Sequence, residues 1–255
     1  MKFASWNVNS LRVRLEHVKD WITKNKPDVI GLQEIKLSDD KFPCDEFKDI
    51  GYEYIFSGQP TYNGVALLSI KKPSNIVKGI AGFKDTQKRA ISASYGNIRV
   101  FNLYVPNGQS VGSEKYDYKI RWLTALTKTL KKEVKKFKYT ILIGDFNIAP
   151  ENIDVHDPIA WDGMITCSKQ ERDALTKILD LGFTDTYRHL NQNKQNFSWW
   201  DYRAGSFRRN NGLRIDLLLA SDKLIKKCIN SLIDDGPRKL NRPSDHAPIY
   251  AEFTI

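Results

Sequence analysis

The stretch Tyr139-Thr140-Ile141-Leu142-Ile143-Gly144-Asp145-Phe146-Asn147 decides how this chain folds, because a nearly continuous apolar run ends abruptly in a glycine, an acid and an amide. A strand that is apolar along both sides belongs to a sheet covered on both faces. Tyr139 to Gly144 is therefore expected as a buried strand with polar groups at its end. The same reading extends outward to Met1 to Val8, Val29 to Gln33, Gly64 to Ile70, Ile91 to Tyr95, Ile98 to Val105, Ile215 to Ala220 and Ala247 to Phe253. Helical spacing marks Val13 to Thr23 and also Lys169 to Leu181, which Gly182 ends. A longer helix is expected from Glu114 to Lys138, with Ile120, Leu123, Leu126, Leu130, Val134 and Phe137 on one stripe. Its lysines 128, 131, 132, 135 and 136 read as a solvated face. Strands recur from the first residues to the last, and no Ser/Gly-rich linker or internal repeat divides them. The expected class is α/β, one domain over residues 1–255, layered rather than an alternating βα barrel.

Composition bounds the function. Of 255 residues, 41% are hydrophobic, enough for a sizeable core, which excludes disorder as the dominant state. No apolar run approaches the roughly 20 residues of a membrane-spanning helix, so no membrane role is expected. Cys44, Cys167 and Cys228 stand at no metal-ligand spacing and argue against a disulfide framework or a zinc site. The chain runs from Met1 straight into strand-like sequence with no apolar signal region. The expected compartment is the reducing cytoplasm, nucleoid-associated if bacterial. Forty Lys+Arg against thirty Asp+Glu give a formal charge of +10. That excess suits a polyanion such as nucleic acid, and also an anionic membrane or a merely basic surface.

Chemistry shows where polar residues interrupt the apolar strands. Trp6-Asn7-Val8-Asn9, Leu32-Gln33-Glu34, Tyr104-Val105-Pro106-Asn107-Gly108 and Gly144-Asp145-Phe146-Asn147 close four strands, and Ser244-Asp245-His246-Ala247-Pro248 opens the last. In a layered fold such ends share a rim, so residues far apart in sequence are expected in one polar pocket. Glu34, Asp145 and Asp245, with amide oxygens from Asn7 and Asn147, form a hard, oxygen-rich donor set of the kind Mg²⁺ prefers. Beside His246 and Asp216, such a cation suits metal-assisted phosphodiester hydrolysis. Taken singly, each residue has a plainer reading: Asp145 as a turn acid, Glu34 as a helix cap, Tyr104 as core, Asp245-His246 as a local turn. His17, His156 and His189 have no comparable company.

Assembled, these segments resemble the exonuclease III family of apurinic/apyrimidinic endonucleases, within the endonuclease/exonuclease/phosphatase superfamily. The motifs are Ser5-Trp6-Asn7-Val8-Asn9-Ser10-Leu11-Arg12, Leu32-Gln33-Glu34-Ile35-Lys36, Tyr62-Asn63-Gly64-Val65, Tyr104-Val105-Pro106-Asn107-Gly108, Gly144-Asp145-Phe146-Asn147-Ile148-Ala149-Pro150, Phe197-Ser198-Trp199-Trp200-Asp201-Tyr202-Arg203, Gly212-Leu213-Arg214-Ile215-Asp216 and Ser244-Asp245-His246-Ala247-Pro248. The resemblance implies a four-layer α/β sandwich of two facing mixed sheets flanked by helices. It also implies Mg²⁺, with Mn²⁺ as a substitute, at Glu34, with Asn7, Asp145, Asn147, Asp245 and His246 in the same metal neighbourhood. Asp145 would orient or deprotonate the attacking water and Asn147 would meet the transition-state phosphate. His246, fixed by Asp216, would steady phosphoryl oxygens, and Tyr104 would contact the phosphate as phenol or phenolate.

The implied substrate is double-stranded DNA, cut 5′ to an abasic site, with removal of 3′-blocking groups and 3′→5′ digestion as related activities of a monomer. Arg12, Lys36, Tyr62, Asn63 and Asn107 match positions that meet backbone phosphates. Trp200 and Leu213 match positions that wall an extruded baseless sugar, while Phe197 and Trp199 read as sheet core. Some relatives carry an aromatic residue where Leu213 stands, and an arginine or a longer loop at Gln109-Ser110, so the balance of activities is left open. The competing readings are another hydrolase of the superfamily, such as an inositol-polyphosphate phosphatase, and a catalytically silent nucleic-acid-binding module.

Overall fold

The computed structural model describes residues 1–255. In chain order the elements are β1 (Lys2–Asn7), α1 (Leu11–Asn25), β2 (Val29–Gln33), α2 (Cys44–Asp49), β3 (Glu53–Ser57), β4 (Val65–Ser69), β5 (Ser74–Lys78), β6 (Ala90–Tyr95), β7 (Ile98–Tyr104), α3 (Glu114–Lys136), β8 (Tyr139–Asp145), α4 (Lys169–Leu179), β9 (Phe183–Asp185), β10 (Asp216–Ser221), β11 (Cys228–Ile233) and β12 (Ile249–Phe253), with several short helical turns between them. The strands form two six-stranded sheets, ordered β11-β12-β1-β2-β4-β3 and β5-β6-β7-β8-β10-β9. Each has one parallel pair at its centre, β1 with β2 and β7 with β8, flanked by antiparallel neighbours. Parallel neighbours need a crossover, and α1 and α3 supply the two.

Alternation along the central strands fills three apolar layers. Ile141 and Ile143 of β8 point between the sheets, where they meet Phe3, Leu67 and Val100. Leu142, between them in sequence, points the other way, into the layer under α3 and α4 with Trp122, Leu126 and Ile178. Across the molecule, Trp6, Ile30 and Leu32 pack beneath Val18, Trp21 and Ile22 of α1. The result is helix, sheet, sheet, helix, the four-layer sandwich expected from the sequence.

Four strands escape the sequence reading: β3, β5, β9 and β11. All but β3 lack continuous apolar patterning or length; β5 is exposed at every position and β9 has three residues. All four lie at sheet edges, where one side meets solvent and the period-two signal fades. The last strand begins at Ile249 rather than Ala247, because the Ala247 amide instead donates to the Ser198 carbonyl, 2.7 Å away.

One polar contact crosses the apolar interior. The Asn102 side-chain amide, on β7, donates to the carbonyls of Leu32 (3.0 Å) and Ala66 (2.7 Å) on the opposite sheet. Its Oδ1 accepts from Gln33 Nε2 at 2.6 Å, and Gln33 also donates to Ser5 Oγ at 3.0 Å. The backbone of Gly31 leaves the space: a Cβ there would lie 2.7 Å from Asn102 Cγ. This pin sits just behind the strand ends that carry the acids. Asn7 and Gln33 end β1 and β2 in register, as Tyr104 and Asp145 end β7 and β8, and Asp216 opens β10 opposite Asp145. Gly31→Ala is expected to force Asn102 out of place and to destabilise the fold by about 1–3 kcal/mol. Urea denaturation of the variant beside wild type measures this; an unchanged midpoint contradicts the tight packing.

Candidate active site

Asn7, at the end of β1, spans the two sheets. Its Nδ2 donates to Glu34 Oε1 at 2.8 Å on its own sheet and to Asp145 Oδ2 at 2.9 Å on the other. The amide orientation follows from the Asn9 backbone N–H, which donates to Asn7 Oδ1 at 3.0 Å. Asn7 thus turns a donor toward the acids, while its oxygen, the atom a metal would take, faces the Asn9 amide.

Asp145 accepts from three groups. Besides Asn7, the Asn147 backbone N–H reaches Oδ1 at 2.9 Å and Asn147 Nδ2 reaches Oδ2 at 3.2 Å. The last two bonds exist because Asn147 adopts a left-handed φ of 49°, turning the chain back over its own strand. Asn9, Glu34 and Lys36 are left-handed too, at 43°, 50° and 53°. Asparagine tolerates this backbone; glutamate and lysine adopt it rarely, a strain concentrated at this rim.

His246 completes the cluster. Nδ1 lies 2.8 Å from Asp216 Oδ2, which also accepts from Ser198 Oγ at 2.6 Å, so the ring is fixed with Nε2 toward Asp145, 3.7 Å away. Donor atoms of Glu34, Asp145 and His246 lie within 4.8 Å of one another, a set able to hold a metal ion. Burial lifts the Asp145 carboxyl to about 7 against the pull of His246. Burial opposes charge on His246, but Asp216, Asp145 and Asp245 together outweigh it and raise the imidazole to about 10. A protonated imidazole donates hydrogen bonds and has no lone pair for a cation. In that state the hard ligands are Glu34 and Asp145. Tyr104 is held well above its ordinary value by burial and then by the charge of Glu34, so it stays a neutral phenol.

Asp245 lines the same cleft, with Oδ1 accepting from Asn9 Nδ2 (2.9 Å) and Oδ2 from Trp199 Nε1 (3.0 Å). Lys36 folds back on the acids: its Nζ lies 2.9 Å from Glu34 Oε2 and 2.5 Å from Asn9 Oδ1. It steadies Glu34 more directly than it faces solvent. Arg12 and Tyr62 are exposed; Asn63 is buried beside Gln59 and Gln87; Asn107 lies at the surface and donates to Asn147 Oδ1 at 3.1 Å.

Two hollows adjoin the cluster. One, of about 400 Å³, is walled by Trp199, Leu213, Trp161 and Ile165 and floored by Asp145 and His246. The other, of about 410 Å³, lies beyond Glu34 and Tyr104 and is lined by Tyr62, Asn63, Arg89 and Asn107. Trp200 belongs to neither. It is 3% exposed, packs with Phe197 and Ala247, meets Phe207 edge-on at 5.1 Å and donates to Asn210 Oδ1 at 3.2 Å. The two tryptophans are therefore exchanged relative to expectation. Trp199 bridges to Leu213 on one side and His246 on the other, and neighbouring residues of an extended chain face opposite ways. Leu213 does reach the wall.

Asn9 escaped the sequence reading although it joins Asn7, Lys36 and Asp245; the available signal was a second asparagine two residues beyond the first. Arg89 escaped it as well. Its guanidinium lies 4.6 Å from the centre of the Tyr104 ring and donates to Gln87 at 2.7 Å.

Acids and an Asp-fixed imidazole gathered where two facing sheets end define a phosphoesterase. The model of the Endonuclease/Exonuclease/phosphatase family matches residues 4–246, and the chain belongs to that family. It is 39% identical to exodeoxyribonuclease III of Haemophilus influenzae, over 99% of this chain and 100% of that one. Its structure superposes with a TM-score of 0.99 on the 3′ phosphatase NExo from Neisseria bound to a product DNA hairpin, at 41% identity and 100% coverage of both chains. An AP endonuclease from Archaeoglobus fulgidus is 40% identical over 100% of both chains, with a TM-score of 0.96.

The exchange of the tryptophans has a direct check. Trp200→Ala is expected to lose about 3–5 kcal/mol of stability, as for a large buried aromatic, while Trp199→Ala, only partly buried, loses less. Chemical denaturation of both variants decides it; equal losses contradict the assignment.

Proposed function

We propose that this chain is a Mg²⁺-dependent DNA-repair nuclease that cuts duplex DNA 5′ to an abasic site and also works at 3′ ends, as a 3′→5′ exonuclease and a 3′-phosphatase or phosphodiesterase. The observation that carries the reading is the meeting of Glu34, Asp145 and His246 within 4.8 Å of one another, beside a hollow walled by Trp199 and Leu213. Every one of these reactions hydrolyses a phosphate ester 3′ of a sugar, so one catalytic set serves them all. The relatives support the reading: one is named an exodeoxyribonuclease III, one an AP endonuclease, and one a 3′ phosphatase with product DNA. Reaction at the rim of a monomer in the cytoplasm completes it.

Glu34 and Asp145 would hold a hard divalent cation, Mg²⁺ or Mn²⁺ in its place, which supplies positive charge to the phosphoryl oxygens when bound. The residues do the rest. Asp145, held by Asn7 and Asn147 at the floor of the hollow, orients the attacking water and takes its proton. His246, locked by Asp216, donates from Nε2 to a phosphoryl oxygen, and a donor fixed in advance loses nothing to reorganisation as charge develops; Asn147, whose amide hydrogens serve the Val105 carbonyl and Asp145, holds that carboxylate beside the phosphate. The Tyr104 phenol donates to the phosphate or the departing oxygen. Arg12, Tyr62, Asn63 and Asn107 hold the backbone on either side, contacts that position DNA without reading its sequence. The hollow beside them admits a sugar without a base, which is also the nucleotide most easily extruded.

Parallel assays of abasic duplex, 3′-phosphate duplex, undamaged duplex and inositol phosphates, with and without Mg²⁺, test the proposal. Abasic and 3′-blocked DNA are expected to be cut in Mg²⁺ alone, EDTA to abolish cutting, and Glu34→Gln to lose at least about 10²-fold. Turnover of inositol phosphates with none of DNA contradicts the reading. The cationic surface carries its own expectation: log K for duplex falls linearly with log salt by roughly 0.9 per phosphate contact, and Arg12→Ala makes the slope shallower by about one contact. A flat salt response in a binding titration removes DNA as partner.

A further inference from the structure

Lys119 is the one lysine of α3 that meets no solvent. It stands at helical spacing from Tyr116, Leu123 and Leu126, on the face that packs inward, where an apolar residue is ordinarily found. Its ammonium spends all three hydrogens inside the protein. Nζ donates to the Asn147 carbonyl at 2.7 Å and the Asn107 carbonyl at 3.1 Å, and pairs with Glu171. Glu171, at the start of α4, is equally buried and accepts in addition from the amides of Thr166 and Ser168, each at 3.1 Å, and from Ser168 Oγ at 2.5 Å.

This one pair joins the loop after β7, the loop after β8, α3 and the segment entering α4. The first loop carries Asn107 and the second Asn147, whose side chains meet at 3.1 Å. From Asn147 the chain of bonds continues to both oxygens of Asp145. The segment entering α4 carries Ile165, part of the hollow's wall. Stability alone is a poor reason for such a pair, because dehydrating two charges offsets most of their attraction and a well-packed apolar substitute is often as stable. An apolar substitute, however, cannot grip two carbonyls. What the pair adds is the placing of the residues above it.

We propose that Lys119, secured by Glu171, is a positioning residue for phosphodiester hydrolysis, holding the carbonyls of Asn107 and Asn147 so that their side chains and Asp145 converge on the scissile phosphate. The inference rests on the nuclease reading above. It touches no substrate itself. Released from the clamp, the two loops drift relative to β8, and a displacement near 1 Å in a catalytic constellation lowers rates by as much as about 10²-fold.

The test is the double variant Lys119→Met/Glu171→Gln, which removes both charges together and keeps the side-chain lengths, alone and combined with Asn147→Ala. Three quantities are measured beside wild type and Asn147→Ala: cleavage of an abasic duplex in Mg²⁺ under saturating and subsaturating enzyme, melting temperature, and amide hydrogen exchange of residues 145–149. The clamp predicts a folded protein whose maximal rate falls about 10- to 100-fold, with half-saturation little changed and faster exchange at Asn147. It also predicts little further loss when Asn147 is already alanine, since residues acting as a unit do not multiply their losses. A full maximal rate, unchanged exchange, or the same fold-loss in the Asn147→Ala background overturns it. Should the double variant fail to fold, Glu171→Gln alone, which retains the amide acceptor, carries the same comparisons with a smaller loss. Wild type that cuts no DNA overturns the nuclease reading instead, and the exchange comparison still decides the clamp.

Discussion

Asn102 gives both hydrogens of its amide to carbonyls of the facing sheet and takes one from Gln33, in an interface filled mainly by apolar side chains. Apolar packing between two sheets is permissive, because hydrophobic contact is proportional to area and has no direction. A fully buried amide is the opposite: any slip of one sheet over the other leaves its donors, or the carbonyls they serve, unpaired at about 1–3 kcal/mol each. The pin thus selects one relative position of the sheets. Glu34 follows Gln33 by one residue and Tyr104 follows Asn102 by two, so the position selected there is transmitted to the rim, where Asn7 closes the gap between Glu34 and Asp145.

Charge at the rim is organised by burial. Asp145, Asp216 and His246 are all almost wholly enclosed, and enclosure makes each charge matter to the others. Asp216 has no route to solvent and stabilises His246 as a cation; His246 in turn restrains the rise of Asp145, which burial drives toward neutrality. A carboxyl pushed toward neutrality by burial and an imidazole held charged are thereby kept 3.7 Å apart. Lys36 extends the same logic outward by neutralising Glu34 on its solvent side.

Much of this was legible in the sequence, for a physical reason. Taken singly, an acid or amide at a strand end serves as well for a turn or a cap; its recurrence at five ends of buried apolar strands is what made Glu34, Asp145 and His246, with Asp216 beside it, stand out, and the central strands with them. The exposed edge strands did not, since their pattern depends on neighbours the sequence does not name. Trp199 and Trp200 were exchanged because in an aromatic run the choice of face is a matter of parity, and parity is set by bridges to Leu213 and His246, distant in sequence. Which atom Asn7 turns to the acids was hidden in the sequence, because its amide orientation is set by the backbone N–H of Asn9 two residues on. Lys119 was hidden among the solvated lysines of its helix, although its spacing from Tyr116 and Leu123 placed it on the buried stripe.

The dependence of the rim on the inter-sheet pin is tested most directly by Asn102→Leu, which keeps the volume and removes every polar contact. Single-turnover cleavage of an abasic duplex is measured at a temperature where circular dichroism shows the variant fully folded. A pin that sets the rim predicts a maximal rate at least about 10-fold below wild type in that folded protein. A wild-type rate in a protein that has merely lost stability would contradict it, and would show that Asn7 and the loops above suffice to hold the two sheets' acids together.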